Sequence, residues 1–93
     1  EKEARQIGAV LVERQAAACV NILPGLTSIY RWEGKVHQDP EVLALIKTTR
    51  GTYPQLEALI LELHSYDEPE LIALPVEAGS QGYLSWVMGQ VSA

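Results

Sequence analysis

The chain predicts an α+β sandwich built around one unusually long β-hairpin, and three patterns support this. Apolar residues recur at helical spacing in three separate segments. Between the first two segments, residues 16–49 have the pattern of two long strands joined by the turn Glu33-Gly34. A short apolar run at residues 71–76 predicts one further strand. The length of 93 residues, 47% of them apolar, indicates a single domain spanning residues 1–93.

The first helix is predicted over residues 2–15, where charged residues alternate with an apolar stripe. Four residues form this stripe: Ala4, Ile7, Val10 and Leu11. Gly8 weakens the helix slightly, because glycine has a low helix propensity.

The two arms of the hairpin are predicted at residues 19–32 and 35–48. Pro24-Gly25 predicts a bend or bulge in the first arm, and Asp39-Pro40 predicts a break in the pairing of the second. Each arm is about twice as long as the five or six residues of an average strand. The tip of such a hairpin must lie in solvent or pair with another chain, so we interpret it as an assembly element.

A second helix is predicted to begin at a capping box of Thr52 and Gln55, with Pro54 in its first turn, and to end near His64. A third begins near Ser80. The second carries an apolar stripe of Leu56, Leu59, Ile60 and Leu63, and the third one of Tyr83, Leu84, Val87, Met88 and Val91.

This order of elements is that of a ferredoxin-like sandwich, βαββαβ plus a C-terminal helix, from which the first strand is missing. In that arrangement the first strand is central. Without it, the predicted strand at 71–76 would lack a neighbour and its backbone groups would lack partners. We therefore expect about eight to ten further residues ahead of Glu1 in the natural chain.

Composition excludes several classes of protein. The net charge is −5 and the basic residues are scattered, which argues against a nucleic-acid partner. Cys19 is the only cysteine, so no intramolecular disulfide can form, and a reducing compartment such as the cytosol is expected. No apolar run approaches the roughly 18 residues of a membrane span, and no signal-peptide pattern opens the chain.

Three sequence motifs resemble those of the CutA family of divalent-cation-tolerance proteins. They are ACVNILPG, SIYRWEGK and the H-x-Y-x-x-P-E pattern from His64 to Glu70. The resemblance covers nearly the whole chain, from the first helix to the last, and the motifs occur in the same order as in the family. Two departures are visible. The family begins with a hydrophobic strand before the first helix, and it usually carries proline where this chain has Ser65.

The resemblance implies a cytoplasmic, ferredoxin-like homotrimer in which the long hairpins pair with strands of adjacent subunits. It also implies a link to tolerance of copper and other divalent metals. A signalling role similar to that of the trimeric PII proteins is the alternative that the family's shape suggests.

Cys19 and His64 are the candidate metal ligands. Cys19 matches the cysteine of the family's ACVN phrase, and a thiolate is a soft ligand that favours copper. Its structural alternative is a small buried apolar residue. His64 is equally suited to stabilise a helix C-terminus, and His37, the only other histidine, is expected to be exposed near the hairpin tip.

No ligand spacing typical of a site within one chain is present, so a metal site would have to form between subunits. The residues available for such a site are Cys19, His64, Asp67, Glu68 and Glu70.

Four further residues, Trp32, Lys47, Tyr66 and Glu70, match positions typical of the family and could line a cleft between subunits. Alternatively, the two aromatic residues anchor an interface and Lys47 pairs with Glu70. No phosphate loop, nucleophile elbow or supported catalytic triad is present, so no enzymatic activity and no obligatory cofactor are predicted.

Two functions remain open. The first is a homotrimer that binds copper or another divalent cation and contributes to metal tolerance. The second is a PII-like trimeric sensor or scaffold that holds a small anionic metabolite or a partner segment, with indirect metal effects. Lys47 favours the second.

Overall fold

A computed structural model describes residues 1–66 and 68–92. Its elements are α1 (Lys2–Glu13), β1 (Cys19–Trp32), β2 (Lys35–Lys47), α2 (Tyr53–Leu63) and α3 (Gln81–Gln90). Within these residues, β1 and β2 form a two-stranded antiparallel sheet. The three helices and the hairpin are confirmed. The predicted strand at residues 71–76 is not formed.

Helix α1 ends because Gln15 adopts a left-handed conformation, with φ of 59°. Its Gly8 lies against β1, where an added Cβ atom would stand 3.3 Å from the Cγ1 atom of Val20. The glycine therefore lowers helix propensity but lets the helix approach the strand closely.

The hairpin turns at Glu33 and Gly34, both with positive φ, which is the geometry of a two-residue turn matching the strand twist. Toward the base, the register shifts between Leu23 and Leu26, so that Pro24 and Gly25 form a bulge. Gly25 has φ of 86°, a conformation that glycine adopts without steric strain. The predicted bulge is confirmed.

The predicted break at Asp39-Pro40 is wrong. Asp39 pairs with Ser28 and Pro40 pairs with Thr27 in unbroken register. Proline is tolerated in a strand wherever its missing N–H is not needed for the ladder. The bulge in β1 is therefore the irregularity of this hairpin.

The hydrophobic core lies at the base of the hairpin, where the first two helices pack on one face. Its buried residues are Leu11, Ala16, Ala17, Leu56, Leu59 and Ile60. Val20 of β1 and Ile46 of β2 pack against this cluster, as does Leu71. The base of the sheet and the two helices are thus stabilised together by apolar burial.

Helix α2 begins after Thr52, as predicted, but the capping box is not formed. The Thr52 hydroxyl instead lies 2.8 Å from the Thr49 hydroxyl, and Gln55 donates to the Arg14 carbonyl at 3.4 Å. Thr52 is buried, and the Thr49 hydroxyl satisfies its polar atom. Pro54 lies in the first turn, as expected.

Residues 71–76 form no strand, which corrects the prediction of a short buried one. Ile72, Leu74 and Val76 are 70%, 81% and 73% exposed. A strand requires a neighbour to receive its backbone hydrogen bonds, and the described residues supply none here.

Helix α3 is confirmed, but its stripe packs only in part, because Val87 is buried while Tyr83 and Met88 are exposed. After α3, the Ser92 N–H donates to the Gln15 carbonyl at 2.9 Å. No helix within residues 1–66 and 68–92 has the length and apolar character needed to cross a membrane.

Candidate functional site

His64 stands at the C-terminal end of α2, and the turn that follows folds back on its ring. Its backbone N–H donates to the Ile60 carbonyl at 2.8 Å and closes the helix. Its Nδ1 atom accepts a hydrogen bond from the Tyr66 N–H at 3.0 Å, and the two rings meet edge to face at 4.9 Å. His64 therefore shapes this turn as well as ending the helix.

This hydrogen bond limits how His64 can bind a metal. A neutral imidazole that accepts at Nδ1 carries its proton on Nε2. Binding a cation through Nε2 would move the proton to Nδ1 and break the contact with the Tyr66 N–H. Binding through Nδ1 would displace the same N–H. His64 thus becomes a metal ligand only if the turn at residues 64–66 rearranges.

Glu3 of α1 joins the same turn, since its Oε2 atom accepts a hydrogen bond from the Ser65 N–H at 2.9 Å. This hydrogen bond lowers the pKa of Glu3 below its ordinary value, and the nearby His64 acts in the same direction. The contact was not predicted, because the two residues are far apart in the chain and no local pattern connects them.

Cys19 is half-buried and opens β1, opposite Lys47 of β2. Its thiol lies 3.8 Å from the Oδ1 atom of Asn21, the next residue on the same face of the strand. Within residues 1–66 and 68–92, no three His, Cys, Asp or Glu side chains lie close enough to hold a metal ion. Asp67, one of the five predicted candidates, lies outside the described residues.

A long cleft of about 2480 Å³ runs between α1, α2, the hairpin and residues 68–79. His64 and the four predicted cleft residues, Trp32, Lys47, Tyr66 and Glu70, all border it. Trp32 pairs with Lys35 at the tip, however, whereas Lys47 is at the base. At about 3.3 Å per residue, the two ends of β1 are roughly 40 Å apart. One subunit therefore does not gather these four residues around one small ligand.

The proposed pairing of Lys47 with Glu70 is not present. In the described part of the chain, the ion pair formed is that of Glu1 with Arg5, at 2.6 Å. The hydrogen bonds from Arg5, and then its positive charge, lower the pKa of Glu1 below its ordinary value.

Charged residues around the cleft are mainly acidic. Lys47 and Arg50 supply the basic groups, against the carboxylates of Glu1, Glu3, Glu41, Glu68 and Glu70. Such a cleft attracts cations more than anions, since the potential follows the sum of these charges. This charge balance opposes the anionic ligand that Lys47 alone suggested.

A polar cluster on the hairpin, toward its tip, was missed. Tyr30 donates a hydrogen bond to Asp39 and stacks on His37, with ring centroids 5.4 Å apart. The hydrogen bond to Asp39 raises the pKa of Tyr30. A two-residue turn at Glu33 and Gly34 sets Tyr30 opposite His37, so this register could have been predicted. His37 is half-buried rather than exposed.

Two helices on one face of a long antiparallel hairpin, with a third helix at the end, define a ferredoxin-like α+β domain. Solved structures have the same fold. The Thermus thermophilus divalent cation tolerance protein matches 99% of this chain and 89% of its own, at 49% identity and a TM-score of 0.97. The PII-like protein CutA from Nostoc matches 98% of this chain and 88% of its own, at 33% identity and 0.91.

Sequence comparison identifies the family within this class. The family model described as CutA1 divalent ion tolerance protein matches residues 1–90. The Thermus thermophilus relative named divalent-cation tolerance protein CutA is 52% identical over 87 residues, covering 94% of this chain and 84% of the relative. The chain belongs to the CutA1 divalent ion tolerance family.

Animal relatives are longer. The mouse protein CutA is 48% identical over 87 residues, which are 94% of this chain but only 49% of the relative. The chain thus spans about half the length of the mouse protein.

Proposed function

We propose that the protein contributes to divalent-cation tolerance by binding copper or another divalent cation as a cytoplasmic homotrimer. The observation that carries this proposal is the family match over residues 1–90. The description of the family names tolerance of divalent ions and no reaction, so binding rather than catalysis is proposed. The cation is reversibly bound cargo and not an obligatory cofactor.

The hairpin tip supports assembly. Ile29, Trp32 and Val36 are large apolar residues on two paired strands, and each is more than half exposed. A strand pair with such a surface is stabilised when another chain covers it. A trimer in which hairpins pair with neighbouring subunits provides that cover.

The charges of the cleft support a cation. Its five carboxylates outnumber its two basic groups, so divalent ions would concentrate there. Cys19 and His64 are proposed as ligands that select copper by their softer donor atoms, with the turn at residues 64–66 rearranging to free the His64 ring. One subunit lacks a three-residue cluster among its described residues, so the site is proposed to combine groups from different subunits.

A copper titration of the purified protein, followed by native mass spectrometry, tests this function. We expect saturable Cu²⁺ uptake by a trimer, weakened in Cys19→Ala and in His64→Ala while the trimer mass is retained. His37→Ala removes the other histidine and is the matched control, with expected uptake like that of the unaltered chain. If Cys19→Ala and His64→Ala bind as much Cu²⁺ as the His37→Ala control and the unaltered chain, Cys19 and His64 are not ligands.

A PII-like sensor is the second candidate, and the observation that favours it is the structural match to the Nostoc protein named PII-like. In this role the cleft holds a small metabolite beside Lys47, and metal effects are indirect. A thermal-shift screen of small anions and divalent cations separates the two functions, because ligand binding to the folded state raises the melting temperature. Stabilisation by an anion that is lost in Lys47→Gln would favour the sensor.

Location is proposed as cytoplasmic, in line with one unpaired cysteine in the chain. The Arabidopsis relative, 48% identical over 77 residues, is named as chloroplastic, so relatives differ in compartment. Fractionation of the source cells with an antibody against this chain would test the location directly.

A further inference from the structure

The first turn of α1 is tied to the turn that follows α2 by one hydrogen bond. Glu3 is partly exposed in the first turn of α1, and its Oε2 atom accepts a hydrogen bond from the Ser65 N–H at 2.9 Å. The two residues are 62 positions apart in the chain. The position of the Ser65 peptide group therefore depends on where α1 packs and not only on its sequence neighbours.

The next peptide group makes a second contact. The Tyr66 N–H donates to the Nδ1 atom of His64 at 3.0 Å, and the two rings meet edge to face at 4.9 Å. The Ser65 and Tyr66 N–H groups are consecutive, so only the two backbone dihedrals of Ser65 are free to rotate between them. Because Glu3 holds the first N–H, it also restrains the second, which occupies Nδ1 of His64.

These two contacts are the main restraints on the turn. Neither Ser65 nor Tyr66 makes a backbone–backbone hydrogen bond with another residue that the structure describes. Tyr66 is 63% exposed, so burial contributes little to holding it. Segments with few buried contacts and exposed backbone groups are those that open locally. Loss of the Glu3 contact should therefore loosen the turn while the helices stay folded.

The donor in this contact exists because position 65 is serine. The motif of the CutA family usually carries proline here, and proline has no N–H to donate. His64 has φ of −75° and ψ of 144°, the extended backbone that also precedes a proline. The backbone of His64 thus suits either residue, and serine adds a hydrogen bond that proline at this position cannot form.

We propose that Glu3 is a positioning residue that controls whether His64 is available as a metal ligand. In the closed turn, defined by the Ser65 contact to Glu3 and the Tyr66 contact to His64, the Nδ1 atom is occupied and the Nε2 atom carries the proton. A cation displaces one or the other, so binding at His64 requires the open turn. This role of Glu3 rests on the proposed function, in which His64 is a ligand.

The direction of the effect separates this role from a simple charge effect. Glu3 is a carboxylate near His64, so its charge attracts a cation, and on this ground alone its removal should weaken binding. As a restraint on the turn, Glu3 acts in the opposite direction, because the apparent affinity falls with the fraction of molecules in the open, binding-competent state. Removal of Glu3 should therefore strengthen copper binding.

The state of the turn is measured first, without metal. The nitrogen chemical shifts of the His64 ring, recorded by NMR, report which ring nitrogen carries the proton. Amide exchange reports how firmly the Tyr66 N–H is held. In Glu3→Ala we expect His64 to populate both tautomers and the Tyr66 amide to exchange about two- to fivefold faster, the range for one exposed contact.

Two variants control for charge and for folding. Glu3→Gln keeps an oxygen acceptor at the same position and should restore most of the closed turn. Glu62→Ala removes an exposed carboxylate from the last turn of α2, close to His64 in sequence, and is the matched charge control. It should leave the His64 ring shifts and the Tyr66 exchange rate unchanged.

Copper titration then measures the consequence for binding. We expect Glu3→Ala to lower the apparent Kd for Cu²⁺ about two- to fivefold, and Glu62→Ala to leave it unchanged or slightly higher. Ser65→Pro removes the donor instead of the acceptor and should give the same gain. In the Ser65→Pro background, Glu3→Ala should give no further gain, because the contact is already absent.

The outcomes that overturn the role of Glu3 are distinct from failure of the proposed function. Unchanged ring shifts and Tyr66 exchange in both Glu3→Ala and Ser65→Pro would show that Glu3 does not hold the turn. If His64→Ala weakens copper binding but Glu3→Ala does not strengthen it, His64 remains a ligand and only the role of Glu3 is overturned. If His64→Ala binds copper as tightly as the unaltered chain, the ligand role of His64 fails and the control by Glu3 fails with it.

Discussion

The base and the tip of the hairpin belong to the same pair of strands but lie in opposite environments. At the base, Val20 and Ile46 pack against a core in which Leu11 is 0% exposed. At the tip, Ile29 is 65% exposed and Val36 is 62% exposed. Strand propensity is high in both halves, so it does not distinguish them. The difference arises because α1 and α2 cover the base and no described element covers the tip.

The comparison separates a part of the hairpin that is stabilised within one subunit from a part that the proposed assembly would stabilise. The base is stabilised by burial within one subunit, where each apolar side chain contributes about 1.5–3 kcal/mol. No described residue buries the apolar side chains of the tip, and the proposed subunit contact would cover them. Substitutions in the two halves should therefore change different measured quantities.

The largest expected effect is on the base. Leu11→Ala removes a fully buried side chain and should lower the free energy of unfolding by about 3 kcal/mol, through lost burial and the cavity left behind. Urea unfolding followed by circular dichroism measures this. The neighbouring Val12→Ala is the control; Val12 is partly exposed, so a loss below about 1 kcal/mol is expected. Equal losses in both variants would contradict the position of the core.

A substitution at the tip should act on assembly instead. Ile29→Asp places a charge where the proposed subunit contact buries an apolar side chain, and should weaken trimer formation by about tenfold or more. Native mass spectrometry over a dilution series measures it, while Ile29→Val should retain the trimer. If Ile29→Asp leaves assembly unchanged, the tip is not the contact.

The bulge between base and tip is the next site to test. Gly25→Ala forces a side chain into a conformation with φ of 86° and should cost about 1–2 kcal/mol of stability. Gly51→Ala is the matched control, because Gly51 has no positive φ and an added Cβ atom there meets no neighbour. Chemical denaturation of both variants gives the difference. A Gly25→Ala variant as stable as the control would show that the bulge relaxes freely.

The smallest effect concerns pH. The pKa of Glu3 is lowered in the folded state by the hydrogen bond from the Ser65 N–H, so its contribution to stability is present above the pKa of the unfolded chain. That contribution is lost as the pH falls through the lowered pKa of the folded state. Glu3→Gln should therefore have a slightly lower melting temperature than the unaltered chain at neutral pH. This difference in melting temperature should disappear at acidic pH.

Thermal melts across this pH range, with Glu62→Gln as an exposed control on α2, measure the gap. A gap between Glu3→Gln and the unaltered chain that is constant with pH would contradict a role for the ionised carboxylate.

Sequence patterns over a few neighbouring residues predicted the end of α2 and the bulge in β1. His64 was placed at the end of α2 because the apolar stripe stops there, and the bulge followed from Pro24-Gly25. Contacts between distant segments were not predicted. The hydrogen bond from the Ser65 N–H to Glu3 depends on how α1 meets the turn after α2.

The sequence by itself determined the helices, the long hairpin and its turn, because periodicity, glycine and proline act within a few neighbouring residues. It also determined family membership, because motifs of the family occur along nearly the whole chain. Only the tertiary structure decided that residues 71–76 form no strand and that Glu3 of α1 meets the turn after α2. The physical reason is that a strand is completed by its neighbour's hydrogen bonds, and a cleft by surfaces that packing brings together.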